Sequence, residues 1–405
     1  MTVQDSGWAC DDLGTALTNL LDSFPTRPRL LGLGEPMHLE EAFPRLRNRI
    51  FQHLVEHEGY RCVAIESDCL SGLIVDDYVT EGVGSLETVL RQGFSHQVGE
   101  YAATRELITW MRGFNEGRPF ADRVRFAGFD APLEMISAAS PRQALLAVHA
   151  YLAGTDLPCT AERIDQLIGD DAAWTSTEAM MDPAKSLGGS AEVKELRLIA
   201  DELQALLLTE SPRLISTTSL ESWRRAALHA RTATGLLRYH AAAADTSPQR
   251  ISRMLGLREA MMAENLAALT HRTLVFAQNS HLQRQPSVWV LAGQRLEWWG
   301  AGAIMSPQLG DEYAFIALAL GSAPHCGLPA PQPDTFEGVL SELPGDEYLF
   351  SSRQLAAALD GQNLVLRKDE ATHQGYFPFD TRHLGDTDGI AFLKHVPSVD
   401  ADAHR

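Results

Sequence analysis

The sequence predicts an α/β fold in which a mainly parallel sheet is flanked by helices. Apolar runs of strand length alternate with amphipathic stretches over the first 130 residues, a long helix-like segment follows, and strand-like runs return near residue 273. This alternation is typical of parallel sheets, because parallel neighbours need a crossover connection. The 405 residues and 45% hydrophobic content are sufficient to bury a large core.

The first 134 residues contain three predicted strands and four predicted helices. The strands are residues 28–35, 62–67 and 124–130. The helices are residues 8–22, 43–58, 69–80 and 100–115. Phe43, Leu46 and Ile50 predict the second helix because they recur at helical spacing, and Pro44 suits its first turn.

Strand signals are absent between residues 135 and 270 and return afterwards. The helix-like stretches are residues 141–153, 190–209, 219–243 and 250–269, and Thr218 with Glu221 forms a predicted capping box before the third. The later strand-like runs are residues 273–279, 313–320, 347–351, 363–367 and 389–396. The sequence therefore predicts one discontinuous α/β domain, residues 1–134 and 271–405, with an all-helical insertion, residues 135–270, that covers the active edge.

The net charge and the cysteine content of the chain indicate which binding partners and which cellular compartment to expect. The formal charge of −19 disfavours binding to phosphate backbones, so we expect no nucleic-acid partner. The five cysteines include no CxxC pair, which favours a reducing, cytoplasmic setting over a disulfide framework. Neither a secretory signal nor an apolar run of membrane-spanning length is recognisable, so we expect no membrane partner. The oligomeric state stays open.

Polar residues follow the predicted strands at the point where each strand ends. They are Glu35, His38, Glu66, Asp68, Asp130, Asn279 and His281. Because ligands of open α/β sheets bind at the carboxyl ends of the strands, we expect these side chains to share one edge. Carboxylates beside imidazoles shift each other's proton affinities, and acid–base catalysis depends on such shifts.

Each of these residues also has a structural interpretation. Asp68 and Asp130 suit the cap of a following helix, whereas Glu66 is a poor cap and directly follows an apolar run. Other catalytic motifs are missing or incomplete: GLGEPM lacks the third glycine of a dinucleotide loop, and neither GxSxG nor HExxH occurs. The convergence of two histidines and two glutamates therefore carries the functional interpretation.

Taken in order, these segments resemble the motifs of the erythromycin esterase family. The matching segments are GEPMH (34–38), AIESD (64–68), DDYV (76–79), GFD (128–130) and NSH (279–281). The resemblance implies that His38 is the general base that deprotonates water, while Glu35 and Glu66 orient the base and the water. It further implies that His281 and Arg105 bind or polarise the substrate carbonyl and its oxyanion.

The resemblance also implies a small-molecule substrate, an ester or a lactone, and neither a cofactor nor a metal. The expected substrate-binding residues are Arg47, Asp68, Asp130, Asn279 and Tyr78. Arg47 either pairs with a glutamate of the site or forms an ordinary salt bridge. Family members often carry a histidine where Gln278 stands, so macrolide hydrolysis itself is not implied.

Three alternatives remain at this point. The first is a metal-dependent hydrolase in which Glu35, His38, Glu66 and His281 bind zinc or manganese. The second is an acid–base enzyme that does not hydrolyse: a cyclase, a dehydratase or an acyl transferase of natural-product biosynthesis. The third is a binding or immunity protein that sequesters a small molecule. The sequence does not identify the substrate.

Overall fold

The computed structural model describes residues 2–134, 137–291, 293–368 and 375–397. The strands are β1 (Gly7–Ala9), β2 (Leu30–Glu35), β3 (Cys62–Asp68), β4 (Arg125–Asp130), β5 (Leu133–Glu134), β6 (Ser137–Ala138), β7 (Thr273–Gln278), β8 (Ser287–Leu291), β9 (Gln294–Trp298), β10 (Tyr313–Ser322), β11 (Glu347–Ser351) and β12 (Gly389–His395).

The α-helices surround these strands. They are α1 (Leu13–Asp22), α2 (Ala42–His57), α3 (Gly72–Glu81), α4 (Leu86–Gln92), α5 (Ala102–Asn115), α6 (Arg142–Tyr151), α7 (Ala161–Ile168), α8 (Asp171–Trp174), α9 (Thr177–Met181), α10 (Ala191–Thr209), α11 (Ser211–Thr217), α12 (Leu220–Ala243), α13 (Arg250–Ala267), α14 (Asn279–Leu282), α15 (Ala301–Leu309), α16 (Phe336–Ser341) and α17 (Ser352–Ala358).

The main sheet has eight strands in the order β1-β11-β12-β10-β2-β7-β3-β4. The pairs from β12 to β4 are parallel, whereas β11 is antiparallel to both β12 and β1. The predicted α/β class is therefore confirmed, as a mixed sheet flanked by helices. From β2 the chain moves towards β3 and β4, and from β10 it moves the opposite way to β12. The carboxyl ends of β2 and β10 thus adjoin a topological switch point, where such sheets bind ligands.

Two apolar cores lie on the two faces of the sheet. On β10, Ile316 and Leu318 join the core that contains α1 and α2, while Phe315 and Ala317 join the core that contains α13 and α16. This alternation follows from the two-residue period of a strand. The strand is buried on both faces, and its near-continuous apolar sequence reflects that burial.

Three predictions about single elements are wrong. Residues 363–367 do not form a strand, since only Val365 makes an isolated bridge, to Thr335. The first helix begins at Leu13, because the residues before it pair as β1 with β11. The cap of α12 is Ser219, whose hydroxyl accepts from the Ser222 amide at 3.0 Å.

Between β6 and β7 the described residues form the helices α6 to α13. The division of the chain into a discontinuous domain and an insertion stays a prediction. Among the residues that the structure describes, no helix combines the length and the apolarity needed to cross a membrane.

Candidate active site

The carboxyl ends of β2 and β3, together with the short helix α14, bring two histidine–carboxylate pairs to one edge. Glu35 ends β2 and bonds to His38 in the following loop, while Glu66 near the end of β3 bonds to His281 in α14. Close packing at this edge depends on Gly34, since a Cβ there would lie 2.0 Å from Asn279 Oδ1. The strand ends therefore converge as the sequence predicts.

The first pair is half-open to solvent. His38 Nδ1 lies 2.8 Å from Glu35 Oε1, and the His38 side chain is 47% exposed whereas that of Glu35 is buried. With Nδ1–H donating to the carboxylate, Nε2 keeps a lone pair, and it makes no hydrogen bond within the described part of the chain. Leu39, the next residue, has a φ of 62°, an uncommon conformation for a bulky residue.

The pKa values of this pair are shifted by its surroundings. Partial burial disfavours the charged form of His38 and so lowers its pKa. The hydrogen bond to Glu35 and the negative charges of Glu66 and Glu35 outweigh this effect, and the His38 pKa is raised. Burial also raises the pKa of Glu35, against the effect of His38. Since nearly half of the imidazole is exposed, solvent screens these effects. Glu66 and His281 both act on His38, so the two pairs are electrostatically coupled.

The second pair is buried and has an additional carboxylate. His281 Nε2 lies 3.1 Å from Glu66 Oε1, and Nδ1 lies 2.6 Å from Glu259 Oε1. Burial lowers the His281 pKa, but the two carboxylates reverse this and raise it to about 10. His281 is therefore an imidazolium at neutral pH, and both of its N–H groups are engaged.

Glu259 and Glu66 are fixed by further donors. Glu259 accepts from Trp298 Nε1 at 3.1 Å and from the Ala301 amide at 3.0 Å. Glu66 accepts from Arg258 at 3.0 Å and from the Gln278 amide at 3.0 Å. Burial would raise the pKa of Glu66, but His281, His38 and Arg258 hold it well below its usual range.

Asp130 forms an ion-pair network, so its interpretation as a helix cap is wrong. Its carboxylate accepts from Arg258 at 2.6 Å and contacts His96 Nε2 at 3.0 Å, while His96 Nδ1 contacts Glu134 at 2.9 Å. The strand β5, and not a helix, follows Asp130. Arg258 thereby joins Glu66 and Asp130 across two strand ends. The network extends the site to the loop that carries His96.

Two other predicted residues of this edge have structural contacts. Asp68 Oδ1 accepts from the Leu70 amide at 2.7 Å and the Ser71 amide at 3.2 Å, so it caps the turn that leads into α3, whereas the N-cap residue of the helix itself is Ser71. Asn279 bridges α14 to β10, because its amide donates to Leu318 O at 2.9 Å and its oxygen accepts from Leu318 N.

Arg47 is close to the site and buried, with 1% of its surface exposed. Its guanidinium donates to Asn48 Oδ1 at 2.8 Å and lies 5.1 Å from the Phe276 ring centre. No carboxylate of the described residues lies within ion-pair distance of it, so neither predicted salt bridge forms. Burial lowers the pKa of Arg47 to about 10, against the charges of Glu35 and Glu41.

The structure does not bring Arg105 or Tyr78 to this cluster. Arg105 lies on the exposed face of α5 and pairs with Glu87 at 2.7 Å. Its neighbour Thr104 is buried, and one helical residue turns the side-chain direction by about 100°. Tyr78 lies in α3 and packs against the core on the face of the sheet that contains α2.

Sequence reasoning missed Arg258, Glu259 and His96. Arg258 and Glu259 lie in α13, within a periodic stretch whose pattern indicates only an amphipathic helix. His96 follows α4 with a φ of 53°, and no sequence signal marks that conformation. The one available signal for Arg258 and Glu259 is that they are adjacent charged residues among alanines and methionines. Such pairs are common on solvent-exposed helices, so the signal does not single out a site.

The four side chains of the two pairs do not share one centre. Across the described residues, Glu35, His38, Glu66 and His281 do not gather their ligand atoms into one group, and each imidazole bonds to carboxylates. A separate cavity of about 430 Å³ lies beside β4, α3 and α12 and contains none of these side chains. The site is assigned from its chemistry, since that cavity contains neither of the two histidine–carboxylate pairs.

The fold and these pairs define an α/β protein with a candidate acid–base site at the carboxyl edge of its parallel strands. Residues 55–396 match the family model described as erythromycin esterase. The chain therefore belongs to the erythromycin esterase family, and the resemblance inferred from the motifs is confirmed. The matched range includes Glu66, Asp130 and His281 and begins after His38. Membership of this family supports a hydrolase.

Solved structures share the fold at low sequence identity. A Bacillus cereus protein has a TM-score of 0.72 at 17% identity, covering 94% of this chain and 91% of that one. A succinoglycan biosynthesis protein has a TM-score of 0.71 at 16% identity, covering 98% and 96%. A histidine-to-asparagine variant of the erythromycin esterase EreC, in its open conformation, has a TM-score of 0.64 at 16% identity, covering 95% and 94%. No curated protein sequence matches the chain.

Proposed function

We propose that this protein hydrolyses an ester or lactone of a small molecule with His38 as the general base. The observation that carries the proposal is the 2.8 Å bond between His38 Nδ1 and Glu35, which leaves Nε2 of this half-exposed ring without a hydrogen bond among the described residues. A carboxylate on one nitrogen fixes the tautomer and raises the basicity of the other, as in hydrolytic triads.

In the proposed reaction, His38 Nε2 removes a proton from water as the water oxygen attacks the carbonyl carbon. The carbonyl π electrons move to oxygen and form a tetrahedral oxyanion. When the intermediate collapses, the C–O bond to the alcohol breaks, and the imidazolium of His38 returns its proton to the leaving oxygen. Glu35 stabilises the imidazolium between the two steps.

Arg258 is the proposed source of positive charge for the oxyanion, in the role that the resemblance implied for Arg105. Its Nε and one terminal nitrogen bond to Asp130 and Glu66, while Nη1 makes no hydrogen bond within the described residues. His281 is already bonded at both nitrogens, so it acts by charge and by fixing Glu66. Fixed cations of this kind stabilise developing charge without reorganisation.

The helices between β6 and β7 are proposed to shape substrate entry, because α13 carries Arg258 and Glu259 into the site. A macrolactone is the first substrate to examine, since EreC is named for an erythromycin ester bond and shares this fold. Specificity then depends on side chains of the helical segment.

The test compares His38→Ala with His57→Ala on a panel of macrolides, smaller lactones and acyl esters. His38→Ala is expected to lower kcat/KM by about 10²- to 10⁴-fold, the usual contribution of a positioned base. His57→Ala serves as the control because that side chain is exposed near the opposite end of α2. Circular dichroism checks that both variants fold.

Oxygen-18 water identifies the reaction type. One solvent oxygen is expected in the carboxylate product. A product without solvent oxygen would point to a cyclase, dehydratase or acyl transferase, and undiminished activity in His38→Ala would remove the proposed base. Tight binding without turnover across the panel would favour a sequestering protein.

A further inference from the structure

A second group of side chains lies at the switch point between β2 and β10. Glu40 belongs to the loop after β2, and His325 and Cys326 belong to a short turn of 3-10 helix after β10. Among the residues that the structure describes, these three form the one group of His, Cys, Asp or Glu whose ligand atoms all lie within 4.8 Å of one another. The proposed hydrolysis uses none of them.

The contacts of this group come close to the dimensions of a tetrahedral metal site. Glu40 Oε2 lies 2.7 Å from His325 Nε2 and 3.7 Å from Cys326 Sγ. Zinc bonds of about 2.0 Å to nitrogen or oxygen and about 2.3 Å to sulfur place tetrahedral neighbours roughly 3.3–3.5 Å apart. The oxygen–sulfur distance already fits, and the oxygen–nitrogen pair needs to open by roughly 0.6 Å to fit the same geometry.

The backbone holds the donors in place. The turn that carries His325 and Cys326 is closed by paired Ala323–Leu328 hydrogen bonds of 2.9 and 3.1 Å, and Gly327 adopts a φ of 76° within it. Arg367 fixes the base of the turn by donating to Leu320 O and Gly321 O at 2.8 and 2.7 Å. The other oxygen of Glu40 accepts from the Ala42 amide at 3.3 Å.

Burial and access differ among the three donors. Glu40 and Cys326 are buried, whereas the His325 side chain is 26% exposed, so an ion reaches the group from the imidazole side. Burial and, to a lesser extent, the neighbouring Glu40 carboxylate together raise the pKa of the Cys326 thiol to about 11, so the thiol carries its proton at neutral pH. Coordination releases that proton to solvent and places the positive charge of the metal beside the buried Glu40 carboxylate.

We propose that Glu40, His325 and Cys326 bind one divalent metal ion, for which Zn²⁺ has the best fit of donor types. One carboxylate, one imidazole and one thiolate leave a fourth position for water. Because Glu40 lies two residues after His38, the ion ties the loop that carries His38 to the turn after β10. The proposal concerns binding and is independent of whether His38 acts as a base.

The experiment titrates chelator-treated protein with Co²⁺ and then displaces it with Zn²⁺, under reducing conditions. The expected result is one equivalent of bound Co²⁺, a thiolate-to-cobalt charge-transfer band and intense ligand-field bands of a four-coordinate ion. Zn²⁺ is expected to remove these bands and raise the thermal unfolding midpoint of the chain.

Variants decide which residues are the ligands. Cys326→Ser is expected to lose the charge-transfer band, and Glu40→Gln and His325→Ala to weaken binding by at least about tenfold. Cys159→Ser is the matched control for the thiol, because Cys159 is a partly exposed cysteine in the helical segment. His38→Ala is the control for the imidazole of the hydrolytic site. Both controls are expected to bind as the wild type does.

Three results would overturn the proposal. One is the absence of a charge-transfer band in the wild-type protein, and another is its survival in folded Cys326→Ser. The third is loss of binding in His38→Ala with no effect of His325→Ala, which would assign the ion to the hydrolytic site. His325→Ala keeps the test valid if Cys326→Ser fails to fold, since His325 lies at the surface.

Discussion

His38 and His281 are both bonded to glutamates at the same edge of the sheet, yet their environments differ. His38 has one carboxylate partner at 2.8 Å and a side chain that is 47% exposed. His281 has carboxylates at 2.6 and 3.1 Å and is 9% exposed. The first ring keeps one nitrogen for solvent or substrate, whereas the second has none to spare.

This difference shows how the number of partners and the exposure assign roles to identical side chains. The bond to Glu35 and the charges of Glu66 and Glu35 raise the pKa of His38, while its partly exposed ring stays able to gain and lose a proton. Two carboxylates in a buried setting raise the pKa of His281 to about 10 and fix it as a cation. The same rule separates acid and base roles of paired groups in other enzymes.

The largest expected effect comes from removing a buried partner. Glu259→Gln is expected to cost about 3–5 kcal/mol of unfolding free energy, because a buried charge loses its counter-charge. In addition, the new amide group faces donors from Trp298 and Ala301. Glu35→Gln is expected to cost no more than about 1 kcal/mol, since His38 stays partly solvated. Urea unfolding measures both losses of unfolding free energy. Equal losses would show that the two histidine–glutamate pairs do not differ in their contribution to stability.

The pH dependence of stability sharpens the comparison. The folded-state pKa of His281, about 10, lies above the unfolded value of about 6.5. Its contribution to stability is therefore fully present below pH 6.5 and is lost as the pH rises towards 10. Unfolding free energies from pH 6.5 to 10 are expected to fall more steeply in the wild type than in Glu259→Gln. Parallel curves of unfolding free energy against pH would contradict a His281 imidazolium that is stabilised by Glu259.

The pH dependence of activity addresses the other histidine. Activity requires neutral His38, and its raised pKa places the acid limb of kcat/KM above the usual histidine value. Glu35→Gln removes a charge that raises this pKa, so the limb is expected to move to lower pH while the maximal rate falls. An unchanged limb in this variant would mean that another group controls it.

The smallest expected effect extends the comparison to two arginines. Arg105→Ala removes an exposed side chain paired with Glu87, so kcat/KM is expected to stay unchanged and stability to fall by about 0–1 kcal/mol. Arg258→Gln leaves Glu66 and Asp130 without their shared cation and is expected to abolish turnover. The kcat/KM of both variants is measured side by side. If Arg105→Ala were inactive and Arg258→Gln active, Arg105 and not Arg258 would supply the positive charge for the oxyanion.

Much of the scaffold follows from the order of residues along the chain. The strands β2, β3, β4, β7 and β10 begin and end within two residues of their predicted limits, because strands buried on both faces are continuous apolar runs. The prediction for residues 363–367 is wrong because only Val365 pairs, in an isolated bridge to Thr335, and a single bridge does not make a strand. β1 failed for the converse reason, because pairing with β11 makes it a strand.

By itself, the sequence determined the class of fold and the positions of Glu35, His38, Glu66 and His281 at strand ends, because apolar periodicity and strand termini are local properties. Only the tertiary structure decided which group bonds to which. Arg258 meets Glu66 across 192 positions of sequence, and Glu40 meets His325 across 285. Proton affinities depend on distances and burial in space, and these are set by packing between segments that the chain order leaves far apart.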